Sequence, residues 1–285
     1  AKEKFVHVCK HGSDSNSLMI LEKLVEEFPK VNVKTIVDPA SGGAFLIHLC
    51  AQRNKVLCME WLHQRGASLE CTDKTGATPL LFAAAHNCPD AIAFLIAQGA
   101  NVNAKDLYMK FALYIALRNG NFVCAEILQQ ARNIDVHLRG IKGNTALHTM
   151  AEEGNLQAVQ FLIETCKASP LRRNYDESNV LQCCLKHPYI VQYICQHVSQ
   201  KDLIKLLLSV DVNGTNVMHL CAREGHYNSL IGILTIVDFT CWSSDQISSL
   251  VNSPDKRDDT PLLIAVKQNK SEIVQFLCQC QEVSL

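Results

Sequence analysis

The chain has no apolar run approaching the roughly 20 residues of a membrane-spanning helix, and no secretory leader is visible. It starts at Ala1 rather than Met, which fits a segment excised from a longer protein whose targeting signals lie elsewhere. It carries almost no net charge: 27 Lys and Arg against 28 Asp and Glu leave −1. That excludes a general attraction for nucleic acid or for an anionic membrane. Charged residues make up only 19% of the chain against 48% apolar ones, a balance that allows ample burial and argues against disorder. The Gly-rich phosphate loop, HExxH, GxSxG and the kinase motifs are all missing. No nucleophile stands in a pattern that promises a base and an orienting group, so the sequence reads as non-enzymatic, with no cofactor and no metal.

What is present is a repeat. Residues 76–103 hold two short helical segments separated by His86-Asn87-Cys88-Pro89 and closed by Gly99-Ala100. Thr78 can cap the first helix, and Pro79 suits its first position. Ala83, Ala84 and Ala85 permit close packing, while Ile92, Phe94, Leu95 and Ile96 give the second helix its apolar face. Such a pair cannot bury its face alone and must recur. The Thr78 position recurs at Phe45, Phe111, Thr145, Ser178, Asn216 and Thr260, at intervals of 33, 33, 34, 33, 38 and 44 residues. Residues 4–9 fit one earlier copy.

This pattern resembles the ankyrin repeat, with its T-P-L-H-x-A signature, its later G-A-D-V-N-like turn and its period of about 33 residues. The resemblance implies an all-α solenoid of about eight helix-turn-helix units with short hairpin fingers. It is expected to be one domain with units near 1–38, 39–71, 72–104, 105–138, 139–171, 172–210, 211–253 and 254–285. The first unit is irregular, the sixth lacks its Gly-Ala closure and adds a helical stretch with Leu203, Ile204, Leu206, Leu207 and Leu208, and an insertion at 238–256 carries Trp242. Fourteen cysteines then find an explanation as small buried hydrophobes. Cys9, Cys50, Cys183 and Cys221 share one first-helix position, and Cys58 and Cys124 share one in the second. Reduced thiols imply the cytosol or nucleus.

His48, His148 and His219 occupy the signature histidine position, where imidazole can tie one repeat to the next. They stand at least a repeat apart, too far to share a metal. Cys183-Cys184-x-x-His187 with Cys195-x-His197 has metal-like composition but lacks the C-x2–4-C and H-x3–5-H knuckles of zinc sites. Gly99-Ala100-Asn101-Val102-Asn103 resembles the turn that asparaginyl hydroxylases modify in ankyrin proteins, Asn103 being the matching residue. The alternative role for Asn103 is a bond across the turn.

In ankyrin proteins the finger tips and the exposed side of the first helices line a concave groove. By that resemblance the partner-binding residues are Tyr108, Met109, Lys110, Arg118, Ile141, Lys142, Asn174 and Tyr175. Apolar and aromatic side chains at such tips are not required for packing and suit an interface. The cations clustered among them suit a protein or peptide partner with an acidic segment. Nucleic acid fits less well, because a continuous basic helix and a stacking platform are missing. The function implied is a protein-interaction module in a regulatory or scaffold segment. The alternatives are an IκB-like regulator of a transcription factor and a ligand-sensing segment of a larger enzyme or channel.

Overall fold

A computed structural model of the chain describes residues 1–236 and 242–283, with side chains to residue 279. Residues 237–241, which take in the start of the expected insertion at 238, lie outside the described residues. Two compact halves, Ala1–Ile141 and Lys142–Leu285, each hold four repeats. In the first half the inner and outer helices are Lys2–Lys10 and Asp14–Glu27, Leu46–Gln52 and Val56–Gln64, Pro79–Ala85 and Pro89–Ala97, and Ala112–Arg118 and Phe122–Gln129. The second half begins with Ala146–Glu153 and Leu156–Gln160, the latter running into a π-helical turn at Phe161–Thr165, and ends with Pro261–Lys267 and Ser271–Val283. One sheet occurs among the described residues, the antiparallel pair Val37–Asp38 and Ala44–Phe45.

Most of these helices are far shorter than the 12–15 residues that an isolated helix needs in water. Packing on neighbours therefore has to hold them. Cys50, Ala83 and Ala116 are fully buried where inner helices meet, and Met59, Ile92 and Leu95 are buried from the outer helices. Small side chains on the inner row bring backbones close, and larger ones fill the space behind.

Three polar ties recur, one within the finger and two between repeats. In five of the fingers, the residue five before the helix cap closes the turn on itself. Asp73 Oδ1 accepts from Thr75 and Ala77 N–H (2.9 and 2.8 Å), and Asp106, Asn174, Asp211 and Asp255 do likewise. At the start of an outer helix, one side chain reaches back to the last carbonyls of the inner helix of the preceding repeat. Asn121 Nδ2 donates to Ala84 O (2.9 Å) and Cys88 Sγ to Gln52 O (3.3 Å). Lys55 Nζ donates to Val8 O, His11 O and Ser17 Oγ (2.8, 2.5 and 2.8 Å).

The third tie is the signature histidine. His48 Nδ1 accepts from Phe45 N–H (3.2 Å), and its Nε2–H donates to Ala77 O in the next repeat (2.9 Å). Burial, the larger influence, holds His48 and His219 below the ordinary 6.5. The unfolded chain therefore takes up protons that the folded one refuses. The stability contributed is full above 6.5 and is lost as the pH falls through the window below it. His48→Gln keeps an acceptor and a donor in reach, so it should hold stability above 6.5 and soften the loss below it. Urea midpoints of equal pH slope in the two proteins would contradict this.

The helix caps differ from the expectation at Thr78. Its buried hydroxyl has no hydrogen-bond partner among the described residues. Leu81 stands three residues on, where Thr145 has His148 and places its hydroxyl 2.8 Å from the ring Nδ1. Thr145→Val should thus cost about 1 kcal/mol, the usual worth of one hydrogen bond, whereas Thr78→Val should leave the unfolding midpoint unchanged or higher. Equal losses at the two sites would show the hydroxyls to be equivalent.

The sixth repeat departs from its expected register by one residue. Its cap is Asn179, not Ser178, and its inner helix is Val180–Cys183. Gln182 then takes the histidine position: Asn179 N–H donates to its Oε1 and its Nε2 donates to Thr215 O, both at 2.9 Å. Cys184, not Cys183, becomes the fully buried small residue. The sixth and seventh repeats also share a feature. Their helix pairs, Pro188–His197 following Val180–Cys183, and Val217–Glu224 with Tyr227–Ile236, are each followed by a third helix, Gln200–Leu208 and Ser244–Asn252. The cap of each repeat holds its own third helix: Asn179 Nδ2 donates to Leu206 O (2.8 Å) and Asn216 Nδ2 to Leu250 O (2.9 Å). Threonine is too short for that reach, which explains asparagine at these two caps.

Candidate partner-binding surface

The finger before the fourth repeat projects side chains that the fold does not use. Asp106 fixes its backbone through Tyr108 N–H and Lys110 N–H (2.9 and 2.8 Å), and Leu107 N–H donates to Thr75 O of the previous finger (2.9 Å). Leu107 and Tyr108 remain 74% and 57% exposed. Met109 adopts φ +59°, at the finger position where Gly43, Gly76, Gly143 and Gly214 stand elsewhere. A left-handed non-glycine residue costs about 1–2 kcal/mol, and the exposed Met109 side chain recovers little of it by burial.

Below this finger lies a cleft of about 310 Å³, and Phe82, His86, Lys110, Tyr114, Ile115 and Arg118 are among the residues that line it. Lys110 Nζ sits 5.4 Å from the Tyr108 ring centre and the Arg118 guanidinium 5.8 Å from that of Tyr114. Each cation is thereby paired with an aromatic face. Asp73 and Asp106 also border the cleft, but finger N–H groups already engage their carboxylates. The surface can take apolar contact at the tip and negative charge beside it.

The expected site residues do not all share this character. Tyr108, Met109, Lys110 and Arg118 lie at the finger and cleft of the first half, and Ile141 is 58% exposed at that half's end. In the second half, Tyr175 N–H donates to Lys142 O (2.9 Å). The Tyr175 ring, though 63% exposed, lies so near Gly143 that a Cβ there would stand 2.5 Å from it. Asn174 is a correction. It is 5% exposed, its Oδ1 closes the finger through Asp176 and Ser178 N–H, and its Nδ2 donates to Asn144 Oδ1 (2.9 Å), so its burial and these bonds tie it to the turn. Phe82, Tyr114 and Ile115 escaped the sequence reading, although they stand three or four residues after a cap, on the inner-helix side facing the fingers.

The Asn103 side chain bonds to the closing turn of the next repeat rather than across its own turn. Its Nδ2 donates to Asn133 O (2.7 Å), and its Oδ1 accepts from Asp135 N–H (2.9 Å). Among the described residues no three His, Cys, Asp or Glu side chains gather to hold a metal. Burial pushes the thiols of Cys183, Cys195 and Cys221 up to about 12, which keeps them protonated and poorly nucleophilic. No helix among the described residues is long and apolar enough to cross a membrane.

A family model for ankyrin repeats (3 copies) matches residues 9–106, 47–139 and 113–203. The human transient receptor potential cation channel subfamily A member 1 is 34% identical over 133 residues, 46% of this chain and 12% of the channel. The mouse B-cell lymphoma 3 protein homolog is 26% identical over 204 residues, 70% of this chain and 42% of that protein. Mouse NF-kappa-B inhibitor delta is 28% identical over 183 residues, 61% of this chain and 52% of that protein. The chain thus spans about half or less of these curated relatives. The crystal structure of the Bcl-3 ankyrin repeat domain matches with a TM-score of 0.66 at 18% identity, covering 81% of this chain and 97% of that one. The human ASB11 ankyrin repeat domain matches at 0.58 and 14% identity, covering 82% and 96%. At these identities the two structures speak for the fold alone. The period, the finger turns and the family match over residues 9–203 agree: the chain belongs to the ankyrin repeat family.

Proposed function

We infer that the chain is a non-enzymatic interaction segment that grips an extended, acidic stretch of a partner protein on the concave side of its first half. The observation that carries this reading is the cleft where Lys110 and Arg118 lie against Tyr108 and Tyr114, beneath an exposed Leu107-Tyr108-Met109 tip. Aromatic tips supply contact area at low entropic cost, and the cations would steer acidic sequences and fix their register. The name of NF-kappa-B inhibitor delta, a relative over 61% of this chain, supports a regulator of a transcription factor in the cytoplasm or nucleus. The aligned stretch of a cation channel supports a second reading, a regulatory segment of a larger channel.

Selection of a displayed peptide library on the full chain tests the site. Enriched peptides should combine acidic and apolar residues. Tyr108→Ala with Lys110→Glu should weaken them by at least about 2 kcal/mol, the scale of an interface hot spot, roughly 30-fold in affinity, with circular dichroism unchanged. Peptides that bind both proteins equally would move the site elsewhere.

A further inference from the structure

The second half has its own concave cleft, of about 200 Å³, between the fingers and inner helices of the seventh and eighth repeats. Its chemistry is different. Arg223, Lys256, Arg257 and Lys267 line it, with Asp255 and Asp259 as the only acids among the described residues. Both carboxylates are already engaged. Asp255 Oδ1 accepts from Arg257 N–H (2.8 Å) and Asp259 N–H (3.0 Å), and Asp259 pairs with Lys267 (2.5 Å). Burial works to raise the Asp255 carboxyl, yet these N–H groups hold it below its ordinary value, so it remains an anion committed to the turn. Arg223 is paired with its chain neighbour Glu224 (3.2 Å), both well exposed, a contact worth little in water. Among the described residues neither Lys256 nor Arg257 has a carboxylate within ion-pair distance.

The cleft therefore offers more charged donors than its own acids use. A guanidinium presents a rigid fork of donors and an ammonium three more. A carboxylate entering this space would only repeat what Asp255 and Asp259 already supply. A phosphate monoester carries close to two negative charges near pH 7 and three acceptor oxygens. It can engage Lys256 and Arg257 together and draw Arg223 from Glu224. The volume is several times the roughly 30 Å³ share of a water molecule, so the group need not be dehydrated completely.

We propose that the cleft between Arg223, Lys256 and Arg257 is a binding site for a phosphate monoester, independent of the aromatic cleft of the first half. The group could be carried on a phosphorylated partner segment or on a free small molecule, because the recognising chemistry is the same.

The full chain is titrated with a Gly-Gly-Ser-Gly-Gly peptide in phosphorylated and unmodified form, and separately with inorganic phosphate, while backbone amides are followed by NMR. The phosphorylated peptide should produce saturable shifts confined to Arg223, Asn213–Thr215 and Lys256–Asp259, and the unmodified peptide none. Lys256→Gln with Arg257→Gln should weaken binding at least tenfold without disturbing other amides, since both side chains are exposed. Tyr108→Ala with Lys110→Glu should leave it unchanged, which separates this site from the proposed protein-docking cleft. Tighter binding of the phosphopeptide than of inorganic phosphate assigns the site to a protein partner, and equal binding to a small phosphorylated ligand. No saturable shift with either phosphate, or shifts that persist in the glutamine variant, would overturn the proposal.

Discussion

Lys55→Met should cost the chain roughly 3 kcal/mol, since hydrogen bonds to a charged donor are worth about 1.5–3 kcal/mol each. The ammonium is buried and spends all three N–H groups on neutral acceptors: Val8 O, His11 O and Ser17 Oγ. Those carbonyls end the inner helix Lys2–Lys10, where a cation is favoured by the helix dipole as well as by the orphaned acceptors. Methionine keeps the stem and removes every donor. Ser17 Oγ, 3.1 Å from both carbonyls, can serve only one of them at a time. The relief from burying an ammonium offsets part of the loss, but the acceptors left behind keep the sign unfavourable.

In a repeat array the damage stays local, because each unit contacts only its neighbours. Hydrogen exchange should therefore show the helices Lys2–Lys10 and Asp14–Glu27 losing protection while the third and fourth repeats keep theirs. A single global unfolding free energy is the wrong readout when blocks can open separately. Unchanged protection over residues 2–27 would mean that the lysine contributes nothing to the first interface.

The same local logic decides what the amino-acid sequence reveals. Caps, periods and buried small residues recur because each repeat solves one packing problem, so Thr145-Ala146-Leu147-His148 or Thr260-Pro261-Leu262-Leu263 is readable without coordinates. Readability fails where one residue type replaces another with the same bonding pattern. Gln182 does the work of His48, and with no histidine to mark the place, Ser178 looks as good a cap as Asn179. It fails again where an added element has no family signature. The third helices of the sixth and seventh repeats start at capping serines, Ser199 and Ser243, and each is followed ten residues on by Ser209 or Ser253. Taken singly, one looks like an extension and the other like an insertion. Asparagine at both preceding caps was the available signal, because only a longer amide reaches the carbonyls of Leu206 and Leu250.

The candidate surface was half legible for a related reason. A turn tip shows as an apolar residue where packing asks for none, so Tyr108 and Met109 stand out. The cleft beneath depends on which side of a seven-residue helix faces the fingers. Tyr114 and Phe82 look like core residues in any count of apolar positions. Asn174 failed in the opposite sense: at the same finger position, Asp73, Asp106, Asp211 and Asp255 all turn inward to hold backbone N–H groups. An amide at that spacing belongs to the turn rather than to a partner.

Gln182→Ala should weaken the second half by about 3 kcal/mol, because each buried polar group left unpaired costs about 1–3 kcal/mol. Two are left: Asn179 N–H loses Oε1 and Thr215 O loses Nε2, and both residues are buried. Truncation also opens a small cavity. Gln182→His should recover most of the loss, since Nδ1 and Nε2–H stand where His48 uses them to accept from its own cap and donate to the next repeat. Gln182→Glu is the sharper test. A carboxylate can still accept from Asn179 N–H, but it faces Thr215 O with no donor, so near neutrality it should remain nearly as damaging as alanine. Protonating that carboxyl would return the donor, and the Glu variant should therefore gain stability relative to the Ala variant as the pH is lowered. Urea midpoints for the three variants, with amide exchange over the inner helices Val180–Cys183 and Val217–Glu224, provide the measurement. If histidine proved as harmful as alanine, Gln182 would not be the signature residue in another form, and the one-residue register of the sixth repeat would have no energetic basis.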